Sequence, residues 1–434
     1  MGCLGDPGTI LFSGPTTADG PEALQAHLDR WGALPALDAG QLIELLHASR
    51  LDGRGGGGFP LARKLSTARA RGGDPVLIVN ASESEPASGK DATLCGHRPH
   101  LVLDGAALAA TALGVTTVTV HLHRGAEAPS DGIVRAMAER RERGHDTVDW
   151  EVSFGPERYV SGEASAIAGF LVDGDARPRF TMVPLAVEGP AGRPTVVANA
   201  ETLAHLGVIA RLGPDAWASF GSGGSPGPRL VTLVGAVGQP GRVVEVAGAA
   251  TVGDVLAVGG LVEPPSAVLV GGFAGTWLAG AEAWQAPYER SVLSCLGAAP
   301  GCGLLGVLPH GACALVETAR IVRYLAGESA GQCGTCVAGL PRLADAMGAL
   351  ADGTLRRRGL RRVETLGGEL LGSGACAHPD GVVRLVRSTL AVFHDDVVRH
   401  LAGEPCRGAD HPPVFAVPAP HPTGTGTRPE EDFT

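Results

Sequence analysis

Between Gly53 and Pro60 the chain reads Gly-Arg-Gly-Gly-Gly-Gly-Phe-Pro, with five glycines in the first six positions. A backbone so nearly free of Cβ atoms can take positive φ and lie directly against a flat ring or a phosphate. Phe59 adds an aromatic face at the exit, and Lys64 adds a fixed positive charge beyond it. Of the 35 basic residues only Lys64 and Lys90 are lysines, so each marks its surroundings. No Gly-Lys-Ser/Thr comes after the loop, and Lys64 lies six residues beyond Gly58, which is not Walker spacing. The stretch therefore favours stacked cofactors over a nucleotide triphosphate.

Beyond the glycines the chain alternates strand and helix patterns. Residues 75–80 form a short continuous apolar run, as expected of a strand buried on both faces of a parallel sheet. Residues 101–113 read as a helix, 116–121 as a strand, 133–143 as a charged amphipathic helix and 148–154 as a further strand. This βαβα rhythm predicts an α/β fold of Rossmann-like type, with ligands at the carboxyl ends of the strands. Residues 1–49, punctuated by Gly, Pro and Asp, read as a lead-in packed on the 50–220 domain. After 228 the pattern changes to a hairpin around Gln239-Pro240-Gly241-Arg242, a helix at 251–258 and a strand at 267–270. These make a compact unit over 229–299 with no catalytic constellation. Residues 305–403 are mainly helical, and 404–434, rich in Pro, Gly, Thr and acid, are expected to be a disordered tail.

A formal net charge of −10 excludes a general nucleic-acid binder, whose footprint is basic. No basic region followed by an apolar run opens the chain, and no uncharged apolar run is long enough for a membrane span. A cytoplasmic protein, peripheral to a membrane at most, is expected. Without a secretory signal, the nine cysteines are not read as a disulfide framework.

Polar clusters punctuate the strand ends. Asn80 leads into Ala81-Ser82-Glu83-Ser84-Glu85-Pro86 and then Lys90-Asp91, where two carboxylates at i and i+2 suit hydrogen bonds to ribose or ring nitrogens. The same residues also suit a polar loop with helix-capping duties. Further clusters lie at 159–165, including Gly162 and Glu163, and at 194–202, including Asn199. Cys333 and Cys336 form a C-x-x-C pair entering a helix, with Cys376 forty residues on. Thiolates so spaced can ligate one metal centre, though the pair alone also fits a zinc half-site or a redox dithiol.

Gly53 to Pro60 with Lys64 resembles the G-R-G-G-A-G-F-P…K loop of the NADH-oxidising, FMN-bearing F-type subunit of respiratory complex I. Related diaphorase subunits occur in soluble hydrogenases and formate dehydrogenases. Asn80 to Asp91 resembles that family's N-A-D-E-S-E-P-G-T-F-K-D, 159–166 its Y-I-C-G-E-E-T-A, and 194–203 its P-T-x-x-N-N-V-E-T-L. Glu328 to Cys336 is similar to E-S-C-G-x-C-x-P-C, and Cys376 to the distant fourth cysteine. The motifs keep the family's order over about residues 50–380. The resemblance implies an FMN- and NADH-binding α/β domain (50–220), a small β-grasp domain of soluble-ligand-binding (SLBB) type (229–299) and a helical iron–sulfur domain (305–403).

By the same resemblance FMN is cradled by Gly53, Arg54, Gly55, Gly56, Gly57, Gly58, Asn80, Glu83, Gly162, Glu163 and Asn199. NAD(H) stacks over it near Phe59, Lys64 and Glu85, and Cys333, Cys336 and Cys376 hold a 4Fe-4S or 3Fe-4S cluster. No catalytic acid or base is implied, because the hydride goes to FMN. The implied activity is that of an NADH dehydrogenase. Its partners would be other electron-transfer subunits, ferredoxin-like or thioredoxin-like iron–sulfur proteins. Departures are visible. Ala330 stands where the family has its first cluster cysteine, leaving a three-iron centre, a substitute ligand (His378 or Cys313) or no cluster. Ser82, Ala164 and Ala198 lack the family's Asp, Glu and Asn, while Thr67, Pro184 and Gly89 replace aromatics. These departures also admit an FMN electron-transfer adaptor, or a structural subunit, that no longer uses NADH or lacks the cluster. Lys90 is expected to brace the acidic loop, and Arg356 to Arg362 form a basic island that fits either a solvated helix end or a dock for an acidic ferredoxin-like partner.

Overall fold

The computed structural model describes residues 1–3, 6, 8–14, 20–404, 406, 408–419 and 433–434. Its first sheet consists of β1 (Val76–Asn80), β2 (Thr117–His123), β3 (Asp149–Gly155) and β4 (Thr195–Asn199), all parallel, in the order β3-β2-β1-β4. The chain runs outward from β1 to β3 and then returns to place β4 on the other side of β1. That reversal makes the β1/β4 boundary the topological switch point, where open α/β sheets bind ligands. Parallel register sets Asn80 level with Asn199 there, at the carboxyl ends of neighbouring strands.

Helices cover this sheet as the apolar strands require. The helices Pro99–Leu113 and Ala200–Leu212 pack closely, and Gly105 explains how. A Cβ on Gly105 would run into the Leu203 carbonyl, so only glycine allows the two backbones to touch. The lead-in contributes the helices Leu24–Trp31 and Ala39–Ser49. Its earlier part is tied down by the buried carboxylate of Glu245, which accepts from the amides of Ile10 (2.9 Å) and Phe12 (3.0 Å).

A second sheet holds β5 (Arg229–Gly235), β6 (Arg242–Val246), β7 (Ala267–Val270), β8 (Thr276–Ala279) and β9 (Leu304–Leu308), in the order β6-β5-β9-β7-β8. The β5/β9 pair is parallel and the others antiparallel. The unit expected to end at 299 thus extends to 308. The hairpins β5/β6 and β7/β8 do not pair with each other, and the fully buried apolar strand β9 joins them. Beyond it come the helices Ala314–Gly327, Leu340–Ala351, Arg357–Leu370, His378–Val392 and His394–Leu401, packed around Leu315, Leu325, Leu343, Met347 and Leu385.

The expectation of a disordered tail fails over 408–419. Glu317 accepts from the amides of Val414 (3.0 Å) and Phe415 (3.4 Å), and Arg320 donates to the Phe415 carbonyl. Phe415 is 2% exposed and packs on Trp277 at 5.9 Å between centroids. A single aromatic anchor in a Pro- and Gly-rich stretch is invisible to composition. Residues 405, 407 and 420–432 of that expectation lie outside the described residues.

Because Phe415 fills a core site, Phe415→Ala is expected to cost about 3–5 kcal/mol. Urea unfolding checks this: an unchanged midpoint would show that the strap formed by 408–419 is not anchored.

Candidate functional site

The switch point opens into a cleft of about 400 Å³, whose walls include the glycine loop, Lys64, Asn80, Gly162, Glu163 and Asn199. The loop reaches it through a sharply curved backbone, with φ of 100° at Gly56 and 66° at Gly58. Arg290 occupies the space that a Cβ on Gly58 would need. On Gly57 a Cβ would meet no atom within 4 Å, because that residue faces open space. A bare peptide surface therefore borders the cleft, as close approach of a flat ring demands.

The two asparagines are held rather than loose. Asn80 donates to the Gly162 carbonyl (3.0 Å) and accepts from the amide of Ser82 (3.1 Å), tying two loops together. Asn199 caps the helix Ala200–Leu212 by accepting from Glu201 N (3.1 Å), and donates to Asp91 Oδ2 (2.6 Å). Glu163 likewise caps the helix Ala164–Asp173, so a helix N-terminus with its partial positive charge borders the cleft. Lys64 Nζ donates to the Val197 carbonyl at 2.8 Å. Burial lowers its pKa, and Glu163 opposes that shift. Phe59 stands 46% exposed at the mouth, with the Arg63 guanidinium 5.3 Å from its ring centroid.

Four expected site residues do not line this cleft. The side chain of Arg54 is buried, pairing with Asp52 and donating to the carbonyls of Pro226 (3.3 Å) and Pro228 (3.2 Å). It fastens the glycine loop to the start of the second sheet. Gly56 turns away, toward Gly301 and Cys302. Glu83 caps the helix Lys90–His97, accepting from Asp91 N (2.6 Å) and Ala92 N (3.0 Å), and lines a neighbouring cavity instead. Burial and Asp91 push its carboxyl up to about 7. Glu85 is buried against the second sheet, accepting from Phe273 N (2.9 Å) and Tyr159 Oη (3.2 Å), and burial pushes it up to about 7. The alternation of carboxylates in a loop does not reveal which way each one faces.

Lys90 is a brace, not a ligand. Its buried ammonium pairs with Asp91 (2.8 Å) and Glu201 (3.0 Å), locking the acidic loop to the helix that follows β4. Thr202, Val197 and Ala377 line the cleft without having been singled out beforehand. Thr202 had a signal, since it lies in the 194–202 cluster, and its Oγ1 accepts from the amide of Arg54 (2.9 Å). Ala377 has no sequence signal of its own.

The position of Ala377 joins this cleft to the cysteines, because it lies between Cys376 and His378. Cys333 and Cys336 enter the π-helical turn Thr335–Gly339, and Thr335 Oγ1 donates to the Ser373 carbonyl (3.2 Å), drawing the Cys376 segment in. Burial raises the Cys333 thiol, but the N–H groups of Ala375 and Cys336 and the Cys336 thiol outweigh it and lower its pKa. Burial and Cys333 together push Cys336 up to about 12. The charges of Cys333 and Cys376 both raise the Cys336 thiol, so the three are neighbours, but their sulfurs do not all lie within 4.8 Å of one another. Ala330 offers only a methyl group, buried with Val160 and Phe433. Of the two substitutes, His378 binds the Leu325 carbonyl through Nε2 (2.8 Å), and its Nδ1 is buried without a hydrogen-bond partner. Cys313 is engaged elsewhere, 3.7 Å from His400 Nε2, and does not join this set.

Residues 46–207 match the family model of the Nuo51 FMN-binding domain, and residues 317–400 that of the NADH-ubiquinone oxidoreductase-F iron–sulfur binding region. The F-type subunit, number 2, of the NADH-quinone oxidoreductase of Rhizobium meliloti is 28% identical over 388 residues, covering 84% of this chain and 90% of its own. The F-type subunit of the NADH-quinone oxidoreductase of Streptomyces coelicolor is 27% identical over 387 residues, covering 86% and 85%. Among solved structures, a chain of the NAD+-reducing [NiFe]-hydrogenase in the H2-reduced state superposes with a TM-score of 0.75 at 28% identity. That match covers 84% of this chain but 63% of the hydrogenase chain, so the likeness spans less than two thirds of the latter. The chain resembles F-type subunits of NADH-quinone oxidoreductase over most of its length.

Removing the brace leaves Asp91 and Glu201 buried without their cation, so Lys90→Ala is expected to cost about 3–5 kcal/mol, read by thermal or urea unfolding. A loss below about 1 kcal/mol would contradict the brace. Glu85 gives a pH signature. Its folded pKa of about 7 lies above the ordinary 4.5, so the unfolded chain binds fewer protons between those values, and stability falls as pH rises through them. Glu85→Gln keeps an acceptor without the charge and should flatten that decline, by about 3 kcal/mol at most. Thermal midpoints from about pH 5 to 8 check it; parallel curves for the two proteins would contradict it.

Proposed function

We propose that the chain is a flavoprotein electron-transfer subunit that oxidises NAD(P)H at an FMN held in the cleft and passes electrons through an iron–sulfur centre to a partner protein. The observation that carries this reading is that Ala377 lines the cleft and directly follows Cys376 in sequence. The match to the two family models supports both halves of the site.

When bound, FMN supplies acceptance of a hydride and release of electrons one at a time. The chain supplies position and charge. Gly57 leaves its side of the cleft bare for a flat ring, and Asn80 and Asn199 hold the strand ends rigid beneath it. The Lys64 ammonium favours negative charge in the cleft, while the helix N-terminus at Ala164 is already capped by the Glu163 carboxylate. Phe59 offers an exposed ring for a second planar group at the mouth. No general acid or base is needed. Cys333, Cys336 and Cys376 are assigned to the cluster as three thiolates, a set that suits a centre with one iron not held by cysteine.

In this reading residues 50–220 bind FMN and NADH, 229–308 form the small β-rich unit, and the helices up to 403 carry the cluster. No described helix is long and apolar enough to cross a membrane. The relatives' names support placement in a multi-subunit assembly. We assign the exposed Arg356 to Arg362 island, at the start of the helix Arg357–Leu370, to docking of an acidic ferredoxin-like or thioredoxin-like subunit at the cytoplasmic side. One observation favours the adaptor reading: Glu85 is buried away from the cleft and offers nothing to a nicotinamide nucleotide there.

Anaerobic stopped-flow mixing separates the two readings. NADH or NADPH should bleach the flavin absorption; bleaching by dithionite alone would leave only the adaptor. Lys64→Ala should weaken FMN retention about tenfold, equivalent to about 1.4 kcal/mol, without the loss of stability expected of Lys90→Ala. Equal FMN affinity in the variant and the parent would remove Lys64 from the site.

A further inference from the structure

We propose that Cys313, His400 and Cys406 form a binding site for a single zinc ion, separate from the cluster cysteines. Their three ligand atoms lie within 4.8 Å of one another, the one such group of three His, Cys, Asp or Glu among the described residues. Cys313 Sγ stands 3.7 Å from His400 Nε2.

The imidazole is set as a metal ligand needs it. His400 Nδ1 lies 2.9 Å from the Ala351 carbonyl and 3.1 Å from that of Leu350, so it carries the proton. The amide of Cys406 donates to Nε2 at 3.2 Å, marking that nitrogen as the unprotonated one. Its one lone pair is held by that amide, and the nitrogen lies 3.7 Å from Cys313 Sγ, so zinc would displace the amide to take it. Donation of the other ring N–H to a backbone carbonyl is the outer support that fixes tautomer and orientation in metal-binding histidines. His400 is fully buried, Cys313 is 2% exposed and Cys406 is 9% exposed, so the set is shielded from competing solvent chemistry.

Two thiolates and one imidazole make a donor set that suits zinc, with a fourth position left for water. Both thiols lose their protons on binding, so two protons leave for each ion taken up. The site lies at the far end of the helix Leu340–Ala351 from Cys336. That helix has 12 residues, so the separation is on the order of 20 Å along it. The ion would not be part of the cluster. Its place in the fold indicates what it does. Cys313 precedes the helix Ala314–Gly327, His400 lies in the helix His394–Leu401, and Cys406 lies just before the 408–419 strap that carries Phe415. Zinc would pin the near end of that strap, while Glu317 pins the far end.

Zinc and iron are measured together per chain in the full-length protein purified from zinc-supplemented medium. About one zinc per chain is expected in the parent and in Cys333→Ser, falling at least about tenfold in Cys313→Ser and Cys406→Ser with iron unchanged. Zinc K-edge absorption of the parent is independent of any folding defect in the variants. It should show two sulfurs at about 2.3 Å and one nitrogen at about 2.0 Å. A parent without zinc above background, zinc that leaves with Cys333→Ser, or a Cys313–Cys406 disulfide found by mass spectrometry of alkylated protein would each overturn the proposal.

Discussion

The parallel pairing of β1 with β4 is the constraint on which the rest depends. It sets Asn80 and Asn199 side by side at the switch point of the sheet. Two further parts of the site are hung from these residues. Asn80 draws in the Gly162 corner, and Asn199 caps the next helix and reaches Asp91. A slip in that register would separate the loops that the two amides now join, and the cleft would lose its floor.

Beneath the cleft lies a buried charge assembly that fixes geometry more than it adds stability. Lys90 sits between Asp91 and Glu201, and burial alone would neutralise any one of them. Burial raises the Glu201 carboxyl, but Lys90 and His205 outweigh it and hold it well below the usual range. Glu201 also accepts from the amide of Leu230 (2.8 Å), which carries the same assembly into the second sheet. Arg54 does the corresponding work above, linking the glycine loop through Asp52 to Arg229. The two sheets are thus coupled through buried charge pairs, which tie the β-rich unit to the elements that carry the cleft.

Much of this was legible in the residues. Continuous apolar runs declared the parallel strands, and the glycine loop, Lys64, Asn80, Gly162, Glu163 and Asn199 meet in one cleft. Side-chain direction was not legible. Glu83 and Glu85 share a loop and a residue type, yet one caps a helix and the other is buried under Phe273. Long-range pairing was equally hidden: β9 reads as an isolated apolar pentamer until the two hairpins on either side of it are seen to need it. The tail misled for a different reason, since one Phe outweighs many Pro and Gly residues once a core site is waiting for it. The convergence of Cys313, His400 and Cys406 spans most of the helical region and obeys no spacing rule.

Ala377 lines the cleft and directly follows Cys376, so the central claim is that electrons entering at the cleft appear at the cluster cysteines. Anaerobic addition of NADH, followed by freezing and EPR, tests this directly. The account predicts an iron–sulfur signal that appears as the flavin bleaches, and a Cys376→Ser variant in which the flavin still bleaches but the signal is gone. Bleaching in the parent with no iron–sulfur signal, in protein that contains iron and sulfide, would contradict it.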